Sequence, residues 1–174
     1  MTKKEETMGA FAGMREAKMY EKGVFLSPIT LDNGPGNPVS YRDAHFELEI
    51  EKCILKDCRG IGLCFIVELR VLASDHKLHT VGDKRTWLQK MTDKDVAFGA
   101  LKQFAAAATG TSPSDKEGIK KLEPEVEGIM DAACGEQNIL KGSRVKCTVV
   151  NKKTKAKNQD FSVHNWEPLA PEGK

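Results

Sequence analysis

The chain has 174 residues, 40% of them apolar and 30% charged, with a formal net charge of +2. That is enough for one well-packed domain and short for two, the near balance excludes a histone-like polycation, and the composition is that of a folded globular chain. No apolar run approaches the roughly 20 residues of a membrane span.

The N-terminal MTKKEETMGAF lacks the apolar core of a signal peptide. Residues 1–22 read as a polar, Met-rich flexible arm, mobile or docked late, with weak helical character near Phe11. Gly23 to Ser27 is a short strand ended by Pro28, and LDNGPGN from Leu31 to Asn37 is a loop by composition. His45 to Leu55 is the first long strand. There Phe46, Leu48 and Ile50 alternate against Glu47, Glu49 and Glu51, so one face is buried and the other is wet.

After the turn KDCRG, a second strand runs from Ile61 to Ala73, with Phe65, Val67, Leu69 and Val71 on its core face. A third, Leu78 to Leu88, is interrupted at Gly82 and Asp83, with Arg85 and Trp87 sharing a face. The period then changes. Thr92 with Asp95 resembles a capping box, and Phe98, Leu101, Phe104 and Ala105 approximate helical spacing up to Gly110, a fitting C′ residue. SPSD from Ser112 is a linker, and an acidic helix is expected from Pro124 to Cys134.

Two further strands follow, within KGSRVKCTVVNKKTKAK (141–157) and FSVHNW (161–166). The expected class is mainly β (α+β): a five-stranded, Greek-key barrel of the oligonucleotide-binding type. It would have a helical insert (92–135) between strands three and four, in a single domain of residues 23–168 followed by a disordered tail, 169–174. In that fold strands two and three and the 1–2 and 4–5 loops carry the ligand, and the KKTKAKN tip is the 4–5 loop.

That hairpin is the main chemical signal. From Lys141 to Lys157 it carries seven cations and no acid, while the acids gather at Glu47, Glu49 and Glu51 and at Glu123, Glu125 and Glu127, away from it. A basic finger suits a polyanion; its plain alternative is a lysine-protected sheet edge. Binding single strands without sequence preference needs cations along the phosphates and flat faces for the bases. The candidate nucleic-acid-binding residues are therefore Lys84, Arg85, Lys90, Arg144, Lys146, Lys152, Lys153, Lys155 and Lys157, with Trp87 and Trp166 as stacking platforms. The alternative for Trp87 is a core tryptophan.

The five cysteines, an odd number, fit reduced thiols in a cytoplasmic setting. Cys53, Cys58 and Cys64 with His76 and His79 lack the paired spacing of a zinc site, so no metal or cofactor is expected. No phosphate-binding loop, nucleophile elbow or metalloprotease motif is present, so an enzyme is not expected.

The ordered set GVFLSP, FELEI, GIGLCFIVELRVLAS, VGDKRTW and a helix carrying Phe104 and Gly110 resembles the small single-stranded-DNA-binding proteins encoded by bacteriophages. The likeness covers roughly residues 23 to 110, with the hairpin adding 141 to 166. It implies the oligonucleotide-binding barrel, no catalysis, and coating of single strands in replication or recombination in the host cytoplasm, with replication or recombination proteins as further partners. The loop at 27–43 looks inserted, and the tail lacks the acidic tip that recruits partners to bacterial single-strand binders. The competing reading is a protein-assembly module: a homodimer through a Val96, Ala100 and Phe104 stripe on the insert, with the basic hairpin as edge protection.

Overall fold

The structure, a computed structural model, describes residues 9–16, 24–26, 44–60, 62–75, 80–92, 94–153 and 160–169; within these, side chains are not described at 24–26, 44, 94–96, 150–153 and 160–163. The elements are β1 (Val24–Leu26), β2 (Ala44–Cys58), β3 (Gly62–Ser74), β4 (Lys84–Lys90), α1 (Lys94–Ala108), α2 (Lys116–Leu122), α3 (Val126–Ala133), β5 (Arg144–Lys153) and β6 (Asp160–Pro168). The protein is mainly β. One antiparallel sheet runs in the order β1-β6-β5-β2-β3-β4, and the helices form the connection from β4 to β5. Among the described residues its two edge strands are not hydrogen-bonded to each other, so the sheet is open. No helix among these residues is long and apolar enough to cross a membrane.

Alternation creates the inner face. Phe46, Leu48 and Ile50 of β2, Phe65, Val67, Leu69 and Val71 of β3, and Val145, Cys147 and Val149 of β5 are all buried. In β2 the alternation breaks once. Ile50 and Cys53 both point inward although three residues apart, because Glu51 is an extra residue in the register against β3. Such a bulge bends the strand and re-aims everything after it.

The sheet is strongly curled. Strands β4 and β6 are separated by β5, β2 and β3, so in a flat sheet they would lie about 19 Å apart at the usual strand spacing. Yet the rings of Trp87 on β4 and Trp166 on β6 are only 4.9 Å apart, and Phe104 of α1 lies 5.3 and 5.2 Å from them. Phe65 completes the cluster, 6.2 Å from Trp87. Offset and edge-on rings at these separations add about 0.5–1.5 kcal/mol per pair beyond area burial.

α1 packs inside the curl against β1, β4, β5 and β6. Every residue from Ala97 to Ala108 is buried, including Lys102 and Gln103. A helix covered all round needs small residues for close approach and partners for its polar ones. The run Ala105–Ala108 supplies the first. For the second, Lys102 Nζ donates to Glu123 Oε2 at 2.6 Å and to the Arg15 carbonyl at 2.8 Å, and Gln103 Oε1 accepts the Trp166 N–H at 3.2 Å. The helix stops at Gly110, whose φ of +85° suits a residue without Cβ, with Gly110 N–H on Ala107 and Thr111 N–H on Ala106.

Two expectations change. Residues 9–16, expected in a flexible arm, are docked: Phe11 and Met14 are fully buried, and Phe11 meets Phe65 edge-on at 6.3 Å. Spaced three apart in a tight turn, they present one apolar face. The stretch after the SPSD linker is also helical. Asp115 caps α2 by accepting the Gly118 N–H at 3.1 Å, a signal that Gly118 obscured in the sequence. The acidic helix is present as α3, two residues shorter at its start than expected. The 27–43 loop and 170–174 lie outside the described residues.

Candidate nucleic-acid interface

The outward face of the sheet is where a ligand could meet exposed cations, and strand register decides which of them are available. Strand β5 returns beside β2, setting Glu47 directly across from Lys146 and Glu49 across from Arg144. Arg144 Nε lies 3.9 Å from Glu49 Oε1, and Arg70 of β3 donates to the other oxygen of the same carboxylate. On its far side Lys146 faces Glu167 of β6. Lys84 lies 3.8 Å from Glu51. The acids expected to stand away from the basic hairpin are therefore laced into its root. The reason is pairing between strands some 100 residues apart, which alternation within one strand does not report.

Beside this seam lies a cleft of about 450 Å³ lined by His45, Glu47, Ala73, Asp75, Lys146 and Glu167 among others. Asp75 clamps the start of β2: Oδ1 accepts the His45 N–H at 2.8 Å, and Oδ2 sits 2.7 Å from His45 Nδ1. With Glu47, Asp75 and Glu167 set against Lys146, the rim disfavours phosphate.

Trp87 and Trp166 are both fully buried, so neither offers a face to a base. They are core residues, and this corrects their expected stacking role: the curl of the sheet turns both inward onto Phe104. Their indole Nε1 atoms have no hydrogen-bond partner among the described residues. Arg85, on the same face as Trp87, is half-buried, with Nη2 3.9 Å from Asp83 Oδ2. Tyr20, Phe25, Tyr41 and Phe161 have no described side chains; among the described side chains every Phe and Trp ring is buried.

Beyond Ala44, which pairs with Val149, strand β5 continues with β6 as its neighbour, Lys152 opposite Phe161 and Lys153 opposite Asp160. The side chains of Lys152 and Lys153, and all of Lys155 and Lys157, lie outside the described residues, as do His76 and His79.

The bulge in β2 produces a second surface that the sequence reading missed. Unbroken alternation from Phe46 would aim Ile54 inward; after the extra residue Glu51, Ile54 and Lys56 face outward instead. Register then lines up Ile54, Ile66 and Leu88 across three strands, all half-buried. The next row is Lys56, Cys64 and Lys90. Both lysines are exposed, have no acid opposite, and form no ion pair among the described residues. Arg59 in the adjoining turn is also exposed. On the other side Lys52 is answered by Glu68.

Burial pushes the thiols of Cys53 and Cys64 up to about 12 and about 11, and raises Cys134 and Cys147 as well, so these four are protonated near neutral pH. Burial also lowers His164 to about 3, leaving it uncharged. No group of three or more metal-ligating side chains occurs among the described residues. Comparison of the chain with protein-family models, curated proteins and solved structures gave no match.

Proposed function

We propose that this protein binds single-stranded DNA largely without regard to sequence, across the outer face of β2, β3 and β4 and the tip of the β5–β6 hairpin. The observation that carries the reading is the pair of adjacent rows on that face: aliphatic Ile54, Ile66 and Leu88 beside uncompensated Lys56 and Lys90. The lysines neutralise phosphates and release counterions, while the aliphatic row gives the bases an apolar surface.

The strand order supports an oligonucleotide-binding architecture. Three consecutive strands, a helical connection and a fourth strand returning beside the first give the spatial order β5-β2-β3-β4, which supports reading these four as a Greek key. β6 next to β5 and the 4.9 Å contact of Trp87 with Trp166 fit a sheet curled towards a barrel. On that reading β3 and β4 are its second and third strands, which carry the ligand. A role in replication or recombination is what the resemblance in sequence would imply.

The assembly reading loses its main support, because Ala100 and Phe104 are buried within the chain. The test is fluorescence anisotropy of a labelled poly-dT oligonucleotide at two salt concentrations, with a duplex control. Salt-sensitive binding of the single strand, weakened by Lys56→Glu with Lys90→Glu, supports the proposal. Equal affinity of that double variant, or no binding by the parent protein, refutes it.

A further inference from the structure

Cys58 and Cys64 occupy neighbouring strands at the turn end of the β2–β3 hairpin. The ladder pairs Cys58 with Gly62 and Lys56 with Cys64, so the two cysteines are diagonal neighbours on the outward face. The Cys64 thiol reaches the Gly62 carbonyl, opposite Cys58 in the ladder, at 3.5 Å. Both thiols are free. We propose that Cys58 and Cys64 form a thiol–disulfide couple, a modification site that takes up a low-molecular-weight disulfide such as oxidised glutathione and closes into an intrachain bond.

Access sets the order of events. Cys58 is half-exposed and Cys64 is buried, so the oxidant meets Cys58 first. The Cys58 thiolate attacks one glutathione sulfur, forming a mixed disulfide and expelling one glutathione thiolate. Cys64, after giving up its proton to solvent, attacks the Cys58 sulfur and expels the second glutathione. Two protein thiols are oxidised, one glutathione disulfide is reduced to two thiols, and the protons lost by the cysteines end on the glutathiones. Because burial and the Cys58 neighbour hold the Cys64 thiol near 11, the closing step accelerates as pH rises.

The geometry asks for a small movement. Diagonal neighbours in a ladder are about 7–8 Å apart, and a disulfide prefers Cα atoms within about 6.8 Å. Cys58 sits on the last rung before the turn, next to Gly60 and Gly62 with φ of +81° and +97°, where the ladder ends on one side. Cys134, half-exposed like Cys58 but with its thiol pushed up by burial, is the control for exposure alone.

This chemistry does not depend on nucleic-acid binding, and its test does not use it. Reduced full-length protein is incubated with oxidised glutathione, alkylated, digested and mapped by mass spectrometry. The expected result is a fall from five free thiols to three, with the Cys58 and Cys64 peptides linked. In Cys64→Ser a glutathione adduct should persist on Cys58, and in Cys58→Ser the four remaining thiols should stay free. A lasting adduct on Cys58 in the parent protein, no loss of thiols, or a bond still forming in Cys58→Ser would overturn the proposal.

Discussion

Along the β2–β5 seam, Glu47 and Glu49 stand directly across from Lys146 and Arg144, whereas at the end of the β2–β3–β4 face Lys56 and Lys90 flank Cys64 with no acid opposite. Both regions belong to one sheet, face the same way and carry similar numbers of cations. They differ in what a phosphate would have to displace. At the seam it competes with a carboxylate already in place; at the far end no carboxylate stands across the ladder from either lysine. A count of lysines therefore says little about polyanion binding until register says which lysines are already answered.

The comparison holds only if the inner face is scaffold and the outer face is surface. The largest test of that division is Trp87→Ala, expected to destabilise the fold by about 3–5 kcal/mol in urea unfolding. Trp87→Phe should cost much less, because the indole N–H has no partner to lose. Intact tryptophan fluorescence should change little when single-stranded DNA binds; strong quenching would put a tryptophan back in the interface.

Ion pairs separate the regions next. Glu123→Gln removes the carboxylate that lies 2.6 Å from the buried Lys102 ammonium and should cost about 3 kcal/mol. Glu49→Gln at the surface should change stability by less than about 1 kcal/mol. Equal effects would erase the distinction between core pairing and surface pairing.

His164 gives the inner face a pH signature. Its folded pKa is depressed to about 3 by burial, against 6.5 when free. Between these values the unfolded chain binds the extra proton, so stability is full above pH 6.5 and falls as pH drops towards 3. The expected slope from this group is about 1.4 kcal/mol per pH unit. His164→Leu should remove that slope from acid-unfolding curves; an unchanged slope would mean that the imidazole is not held neutral.

The outer face is sharpened by charge. Lys56→Glu with Lys90→Glu should lower the salt slope of single-strand binding by about 1.4, at roughly 0.7 per phosphate contact, with affinity falling on the order of tenfold at 0.1 M salt. Lys146→Glu should do less, being flanked by Glu47 and Glu167. The smallest effect is expected from Glu49→Gln in the same assay: a slight gain in affinity as Arg144 and Arg70 are released. If the seam variant matters more than the far-end pair, the comparison is reversed.

Much of the fold was legible in the chain. Alternation marked β2, β3 and β5, and the shift to helical period marked α1, because backbone geometry imposes those periods on any sequence that must bury one side. Charge balance and the run from Lys141 to Lys157 were equally plain. The candidate interface was not. Trp87 and Trp166 looked available because parity shows that residues share a face but not whether that face is inside. The pairing of β5 with β2, the bulge at Glu51 and the curl that brings β4 to β6 came only with tertiary structure. Each depends on contacts between residues far apart in sequence, and a single extra residue reverses which side chains after it meet the solvent.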